Sequence, residues 1–367
     1  MRILYIFNSL NFSGAELMYV QASETLKTRG YTLFALITAE DDGNYRQQFE
    51  AHGFDIAKIP CKPSISKRIV FYSKLKRLIK DKQIDIVHVQ RSDLFFVAAC
   101  AAKACHAKCV YSVNNTFTSH WYSYAWHFIK RLLARRILNC KFHCGSDTVY
   151  QHEASYYHNK GIVSYWWYDE KDYYPATAEE RDAARKELSI DNNSFVITTA
   201  GSCGYQKHHE DIFEALSIIK NDIPNLLFLH LGTGALENKE REMCENLGLT
   251  SNVRFCGNQK DFRKYLIVSD LYVMTSRFEG LSNATIDALA CKIPAVLYNV
   301  TGLRDYNISG ENTELIDEDP LLLANSIKRL YEDHSRRQQL AESGYNLVTH
   351  KYGSKYCIDN LINTFYK

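Results

Sequence analysis

No window of about 18 apolar residues occurs in the 367-residue sequence, so no membrane-spanning helix is expected. The start, Met1–Phe7, holds one basic residue and a short apolar run before Asn8 and Ser9. That is too short for a secretion signal and reads as a first strand. The 11 cysteines are scattered and include no C-x-x-C pair, so the short spacings that zinc sites use are missing. Cys100, Cys105 and Cys109 sit in an Ala-rich apolar stretch, and Cys140 and Cys144 flank a strand beside His143. Such thiols read as core residues of a protein kept in a reducing compartment. Also missing are a G-x-G-x-x-G context after the first strand, an internal repeat, a low-complexity tract and any DNA- or RNA-binding motif.

Net charge is nearly absent at +2, but its distribution is uneven. Residues 1–175 carry 23 Lys and Arg against 15 Asp and Glu, whereas residues 176–367 carry 21 against 27. A basic half joined to an acidic half suggests that the first half meets an anionic partner or surface.

What is present is alternation. Short apolar runs separated by longer amphipathic stretches are the pattern of a parallel sheet covered by helices. Strands are expected at Arg2–Phe7, Tyr31–Thr38, Asp55–Ile59, Ile84–Val89, Lys108–Val113, Lys141–Gly145 and Ile162–Tyr165. A second set follows at Phe195–Ala200, Leu226–Leu231, Val253–Cys256, Leu271–Met274, Ala295–Leu297 and Glu314–Ile316. Polar Asp169–Ser194 lies between them, placing a domain boundary near Pro175. The expected fold is thus α/β, with one Rossmann-like domain over 1–175 and another over 176–351. Ligands of such sheets sit at the carboxyl ends of strands, where amides and helix N-termini are free.

The most informative stretch is Ser276–Val296. A strand runs into a loop holding Glu279 and Gly280, and a helix starts near Ser282 or Asn283, both good N-caps. Free amides at Leu281, Ser282 and Asn283, with the positive end of the helix dipole, suit a diphosphate. Glu279 can accept hydrogen bonds from sugar hydroxyls, and Asp287, one turn on, can take a ribose diol. Taken alone, the two acids could equally be surface charges.

Phe278-Glu279-Gly280-Leu281, followed by Asp287-Ala288-Leu289-Ala290 and Ile293-Pro294, resembles the E-x7-E signature of retaining GT-B glycosyltransferases of the "group 1" class, with Asp287 in place of the second Glu. Thr199–Ala215 resembles the family's first strand–loop–helix of the donor domain, where a Gly-Arg pair and a later Lys neutralise the diphosphate. Lys207 matches the Lys, and Ser202 stands where Arg is usual. Leu231–Gly234, Val253–Asn258 and Ser269–Ser276 follow in the family's order, and the resemblance makes Asn258 a base contact. Asn11–Glu16 resembles the family's G-G-A-E loop, with Ser13 for the first Gly; Gly14 would let amides face the donor phosphates. Glu16 reads as a first-turn helix charge more than as a ligand. Asn114 stands where the family has a His near the transferred sugar, and an amide cannot titrate. His120 and His88 could substitute but read better as structural or surface histidines. Tyr165–Asp169 replaces the family's N-G-V-D stretch; its rings could stack on a ligand or pack a hinge.

The resemblance implies two Rossmann-like domains facing across a cleft, a last segment (352–367) crossing back onto the first, and retaining sugar transfer with no metal or cofactor. Lys207, Ser202 and the 281–283 amides would hold the diphosphate, Glu279 the sugar and Asp287 the ribose. The only D-x-D spelling, Asp317–Asp319, reads as a helix start. A UDP-sugar is favoured over a GDP-sugar as donor, and Glu279, Lys207 and Asn114 are the catalytic candidates.

On the acceptor side, Lys62–Lys80 carries seven basic residues and no acidic one, with Ile69, Val70, Leu75, Leu78 and Ile79 at helical spacings. His120–Arg136 adds Trp121, Tyr122, Tyr124, Trp126 and Phe128 beside four basic residues. Such helices suit an anionic membrane surface or, equally, a solvated basic face. The expectation is a cytoplasmic enzyme at the inner face of the membrane, with a lipid-linked saccharide acceptor. The rivals are a catalytically silent nucleotide-sugar-binding subunit, suggested by Ser202, Asn114 and Asp287, and a nucleotide-cofactor oxidoreductase.

Overall fold

The computed structural model of the chain describes residues 1–11, 14–62, 64–116, 121–308 and 310–367. Ser13 and His120, and the side chains of Trp121 and Tyr122, lie outside the described residues. The chain divides into two compact units, Met1–Trp167 with Ser354–Lys367, and Tyr168–Gly353.

The first unit is built on seven parallel strands: β1 (Arg2–Phe7), β2 (Thr32–Ile37), β3 (Asp55–Lys58), β4 (Ile86–Val89), β5 (Lys108–Val113), β6 (Cys140–Cys144) and β7 (Ile162–Val163). They lie in the order β3-β2-β1-β4-β5-β6-β7. The second unit has six: β8 (Phe195–Ala200), β9 (Leu226–Leu231), β10 (Val253–Gly257), β11 (Leu271–Met274), β12 (Ala295–Tyr298) and β13 (Glu314–Ile316), in the order β10-β9-β8-β11-β12-β13. Central strands such as β1, β4 and β11 are buried almost throughout, as a sheet with helices on both faces requires.

All thirteen expected strands are present, six with the expected ends and seven with ends that differ. The change of unit falls at Trp167 and not near Pro175. Trp166 and Trp167 are buried edge-on against Tyr19 of the first unit, at ring distances of 5.9 and 6.4 Å. Tyr168 instead donates its amide to Tyr352 O, and the Arg263 guanidinium donates to Tyr174 O, so this segment packs with the second unit. The return to the first unit starts at Ser354, because Tyr352 and Gly353 remain with the second. Tyr165–Tyr168 is therefore packing: the Tyr165 hydroxyl donates to Asp147, and both Trp rings are buried.

The closing segment completes the first core. Tyr366 is fully buried, and its hydroxyl lies 2.7 Å from His88 Nδ1. A buried chain of hydrogen bonds continues from there. His143 Nε2–H donates to Ser164 O (2.7 Å), so Nδ1 accepts from Ser112 Oγ (2.8 Å), and Ser112 in turn accepts from His88 Nε2. Burial pushes the His143 imidazole down to about 4 and holds His88 well below its ordinary value, so both rings are neutral. His88 is thus a core histidine.

In the helix Ile65–Asp81, Phe71, Leu75 and Ile79 enter the core, while Ile69 (63% exposed) and Val70 (50%) do not join them. At 3.6 residues per turn, positions 71, 75 and 79 share one stripe, and 69 and 70 fall off it.

Candidate active site

In the second unit β8 lies between β9 and β11, so the chain order reverses direction there, the switch point at which open α/β sheets bind ligands. The loop 201–209 leaves the end of β8, and residues 275–282 leave the end of β11. Several bonds join the two loops. Thr275 Oγ1 donates to His208 O (2.8 Å), and the Arg277 amide donates to Gln206 O (2.9 Å). Gln206 Nε2 donates to Phe278 O (2.9 Å).

At the centre of this junction Lys207 Nζ lies 2.7 Å from Glu279 Oε1. Ser276 Oγ donates to the same oxygen at 2.7 Å, and Gln206 Nε2 reaches Oε2 at 3.3 Å. Glu279 is 5% exposed, and these donors satisfy the buried carboxyl oxygens. Two glycines make room. Gly302, at φ +84°, would place a Cβ 2.3 Å from Glu279 O, and Gly232, at φ +133°, would place one 1.8 Å from Gly201 O.

The helix Asn283–Ala290 starts directly beyond Gly280 and Leu281. Ser282 occupies its N-cap, yet its side chain caps no amide; Ser282 Oγ accepts from Thr285 Oγ1 and its carbonyl from Tyr306. The first amides of any helix lack intrahelical acceptors, so this end presents N–H groups and a positive dipole beside Lys207 and Glu279. Asp287 is half-buried one turn on. Burial and then the Asp172 charge push its carboxyl well above the usual range, while the Tyr173 hydroxyl pulls it back. Asn258 Nδ2 donates to Thr233 Oγ1 (3.0 Å) within the Gly232–Gly234 turn, and Ser202 is exposed on the β8 loop.

Gly14 and Asn114 belong to the first unit. Gly14 opens the helix Gly14–Thr28 after β1, with Glu16 in its first turn. Asn114 follows β5; its Nδ2 donates to Gln90 Oε1 (3.3 Å), and Gln90 Nε2 donates to Tyr19 (2.8 Å). Asn114 Oδ1 is shielded from solvent and has no hydrogen-bond partner among the described residues.

Residues 180–347 match the family of Glycosyl transferases group 1, and residues 12–163 match Glycosyltransferase Family 4. The chain belongs to the group 1 glycosyltransferases. This group 1 glycosyltransferase is similar to the lipopolysaccharide core biosynthesis glycosyltransferase LpsE of Rhizobium meliloti, 27% identical over 176 residues, 48% of this chain and 51% of that protein. It is also similar to the UDP-Gal:alpha-D-GlcNAc-diphosphoundecaprenol alpha-1,3-galactosyltransferase of Escherichia coli, 26% identical over 283 residues, 74% of this chain and 72% of that one. With the first curated relatives, the match spans about half their length. Among solved structures, Anabaena HepE in complex with UDP superposes with a TM-score of 0.86 at 18% identity over the whole of both chains. WaaG, a glycosyltransferase of lipopolysaccharide biosynthesis, gives 0.77 at 15% over 99% of each. The fold is GT-B.

The sequence reading missed Gln206, Ser276, Gly302 and Tyr173. The first two lie beside motif residues, and only the fold shows that they aim at Glu279. It also did not gather Cys203, His209, His230 and Glu240, whose ligating atoms all lie within 4.8 Å of one another, all buried.

Proposed function

We propose that this chain moves a sugar from a nucleoside-diphosphate sugar, UDP-linked in preference to GDP-linked, to a saccharide acceptor with retention of anomeric configuration. Lys207, Ser202 and the amides of Leu281, Ser282 and Asn283 hold the leaving diphosphate. Glu279 accepts hydrogen bonds from the sugar hydroxyls, Asp287 takes the ribose and Asn258 the base. Gly14 and Asn114 serve the donor from the first unit, Asn114 as a hydrogen-bonding amide with no proton to exchange. The transfer step needs no metal: the acceptor hydroxyl attacks from the side the diphosphate leaves, and the protein acts by preorganised positive charge and positioning. The observation that carries this reading is the Lys207–Glu279 pair set 2.7 Å apart beside an open helix start.

The acceptor is a lipid-linked saccharide in lipopolysaccharide, O-antigen or capsule assembly, in keeping with relatives that act in lipopolysaccharide core and capsular polysaccharide biosynthesis and on a diphosphoundecaprenol-linked sugar. No helix among the described residues is long and apolar enough to cross a membrane. The helices Ile65–Asp81 and Trp121–Arg136 approach the inner face of the cytoplasmic membrane. Ile69, Val70, Trp126 and Ile129 are exposed there among Lys67, Lys74, Arg77 and Arg136.

The test is a thermal-shift panel of UDP, GDP, ADP, their sugars and NAD(H). A ligand at 100 times its Kd stabilises by about 2.7 kcal/mol. Stabilisation by UDP and a UDP-sugar is expected. Stabilisation by NAD(H) alone would return the oxidoreductase reading, and donor binding without release of nucleoside diphosphate, with or without acceptor lipid, the silent-subunit one.

A further inference from the structure

Four ligating side chains converge inside the second unit from four separate elements. Cys203 lies on the loop after β8, and His209 immediately precedes the helix Glu210–Ile219. His230 lies in β9, and Glu240 on the helix Glu237–Asn246. None is more than 2% exposed. His209 Nδ1 and His230 Nε2 face each other at 3.0 Å with their rings perpendicular. Glu240 Oε1 lies 3.2 Å from the first nitrogen and Oε2 3.2 Å from the second.

Protons alone serve this triangle badly. If each ring gives Glu240 a hydrogen, two N–H groups collide across 3.0 Å. If one ring accepts from the other, the accepting nitrogen carries no hydrogen and meets a carboxylate oxygen at 3.2 Å. Around an ionised Glu240, whose carboxyl, burial notwithstanding, the two imidazoles hold below its ordinary range, every way of placing protons on neutral imidazoles leaves one edge unfavourable. A single cation at the centre satisfies all three edges together. The spacings agree with that: tetrahedral Zn–N bonds of ~2.0–2.1 Å set ligand atoms roughly 3.3 Å apart. The fourth group is a thiol. Burial, then its bond to Glu240, pushes it up to about 12, and a bound metal would reverse that by taking the thiolate outright.

We propose that Cys203, His209, His230 and Glu240 form a closed, four-coordinate site for a structural zinc ion. One thiolate, two imidazoles and a carboxylate suit zinc among the common divalent ions. All four positions are filled by protein, so no substrate reaches the metal and it takes no part in the transfer. Its effect is on the loop. Cys203 N donates to Thr233 O (3.2 Å), Leu236 N donates to Cys203 O (3.0 Å), and Cys203 and His209 bracket Gly204–His208, with Lys207 inside and Ser202 next to the first ligand. The ion ties β8, β9 and the helix Glu237–Asn246 under that loop. The inference stands whether or not the donor reading does.

The experiment uses the whole protein, with any affinity tag removed, purified under reducing conditions without chelators from zinc-supplemented cells. Elemental analysis is expected to give about one zinc per chain. Cobalt(II) added to the apoprotein should give the d–d bands of four-coordinate cobalt and a thiolate charge-transfer band. Cys203→Ser should lose the charge-transfer band while keeping d–d bands, and His230→Ala should reduce the zinc content to background. His334→Ala, at an exposed position that starts the helix His334–Lys351, should leave the zinc content unchanged. A wild-type protein with well under one zinc per chain that also gives no cobalt spectrum overturns the proposal. So does a charge-transfer band that persists in Cys203→Ser. Because the cobalt titration is made on the wild type, the result does not depend on the variants folding.

Discussion

Breaking the Lys207–Glu279 pair separates its structural effect from its catalytic one. Glu279 keeps only 7% of its side-chain surface in water and Lys207 17%, so Lys207→Ala leaves a nearly buried carboxylate short of the cation that pairs with it among the described residues. Removing one partner of a buried pair costs about 3–5 kcal/mol. Ser276 Oγ at 2.7 Å and Gln206 Nε2 at 3.3 Å still donate to Glu279, which puts the expectation at the lower end, about 3 kcal/mol. For a unit of this size that is a fall in Tm of about 6–12 °C. Adding Glu279→Gln removes the stranded charge, so the double variant should regain about 2 kcal/mol relative to the sum of the singles. Turnover should not follow. Loss of one donor to the departing diphosphate lowers kcat/KM by about 10^2-fold, and the double variant restores no cation. Urea denaturation and nucleoside-diphosphate release measure the two quantities on the same preparations. A Lys207→Ala variant within about 2 °C of the wild-type Tm would refute the energetic reasoning. A double variant that turns over normally would refute the assignment of Lys207.

Acid should weaken the first unit in a defined window. The His143 imidazole, pushed down to about 4, binds fewer protons folded than unfolded; its stabilisation is complete above about pH 6.5 and is lost as pH falls toward 4. Between pH 7.5 and 5 this removes about 2 kcal/mol, readable by urea titration at each pH and shallower in His143→Gln; an unchanged slope in that variant would exclude His143 as the source. Gly232→Ala forces a Cβ to within 1.8 Å of Gly201 O and should weaken UDP binding at least tenfold by thermal shift, so near-normal binding would show that the turn can give way. Ile69→Glu with Trp126→Glu should reduce sedimentation with anionic phosphatidylglycerol vesicles, and wild-type protein binding zwitterionic vesicles equally well would dismiss the basic helices as the cause.

The strands were readable because each is a short apolar run that the sheet buries on both faces, a property of the run itself. Their ends were less so. β7 stops at Val163 because the Ser164 carbonyl is taken by His143 and the Trp166 ring packs so closely on Gly145 that a Cβ there would lie 2.0 Å from it. No local pattern announces either contact. The unit boundary was misplaced for a similar reason: Pro175 and the polar residues around it look like a linker, whereas burial of Trp166 and Trp167 against Tyr19 decides the matter. In the site, Lys207 and Glu279 could be named from motifs 72 residues apart, but not the salt bridge between them. The Tyr173–Asp287 contact and the Cys203–Glu240 cluster were illegible because their members come from elements that meet only when the sheet is assembled.

The return of Ser354–Lys367 to the first unit has a consequence for biosynthesis. A ribosome completes the first-born half of this protein last. His88 leaves the exit tunnel early, but the phenol that meets it, Tyr366, lies 278 residues further on and follows only after the whole second unit has been translated, an interval of roughly 14–56 s at ~5–20 residues per second. Throughout that interval the nascent amino-terminal sheet exposes the apolar surface that the closing helix will cover. Chains stalled or released before residue 354 should therefore be prone to aggregate, while chains that include Ser354–Lys367 escape once that segment docks.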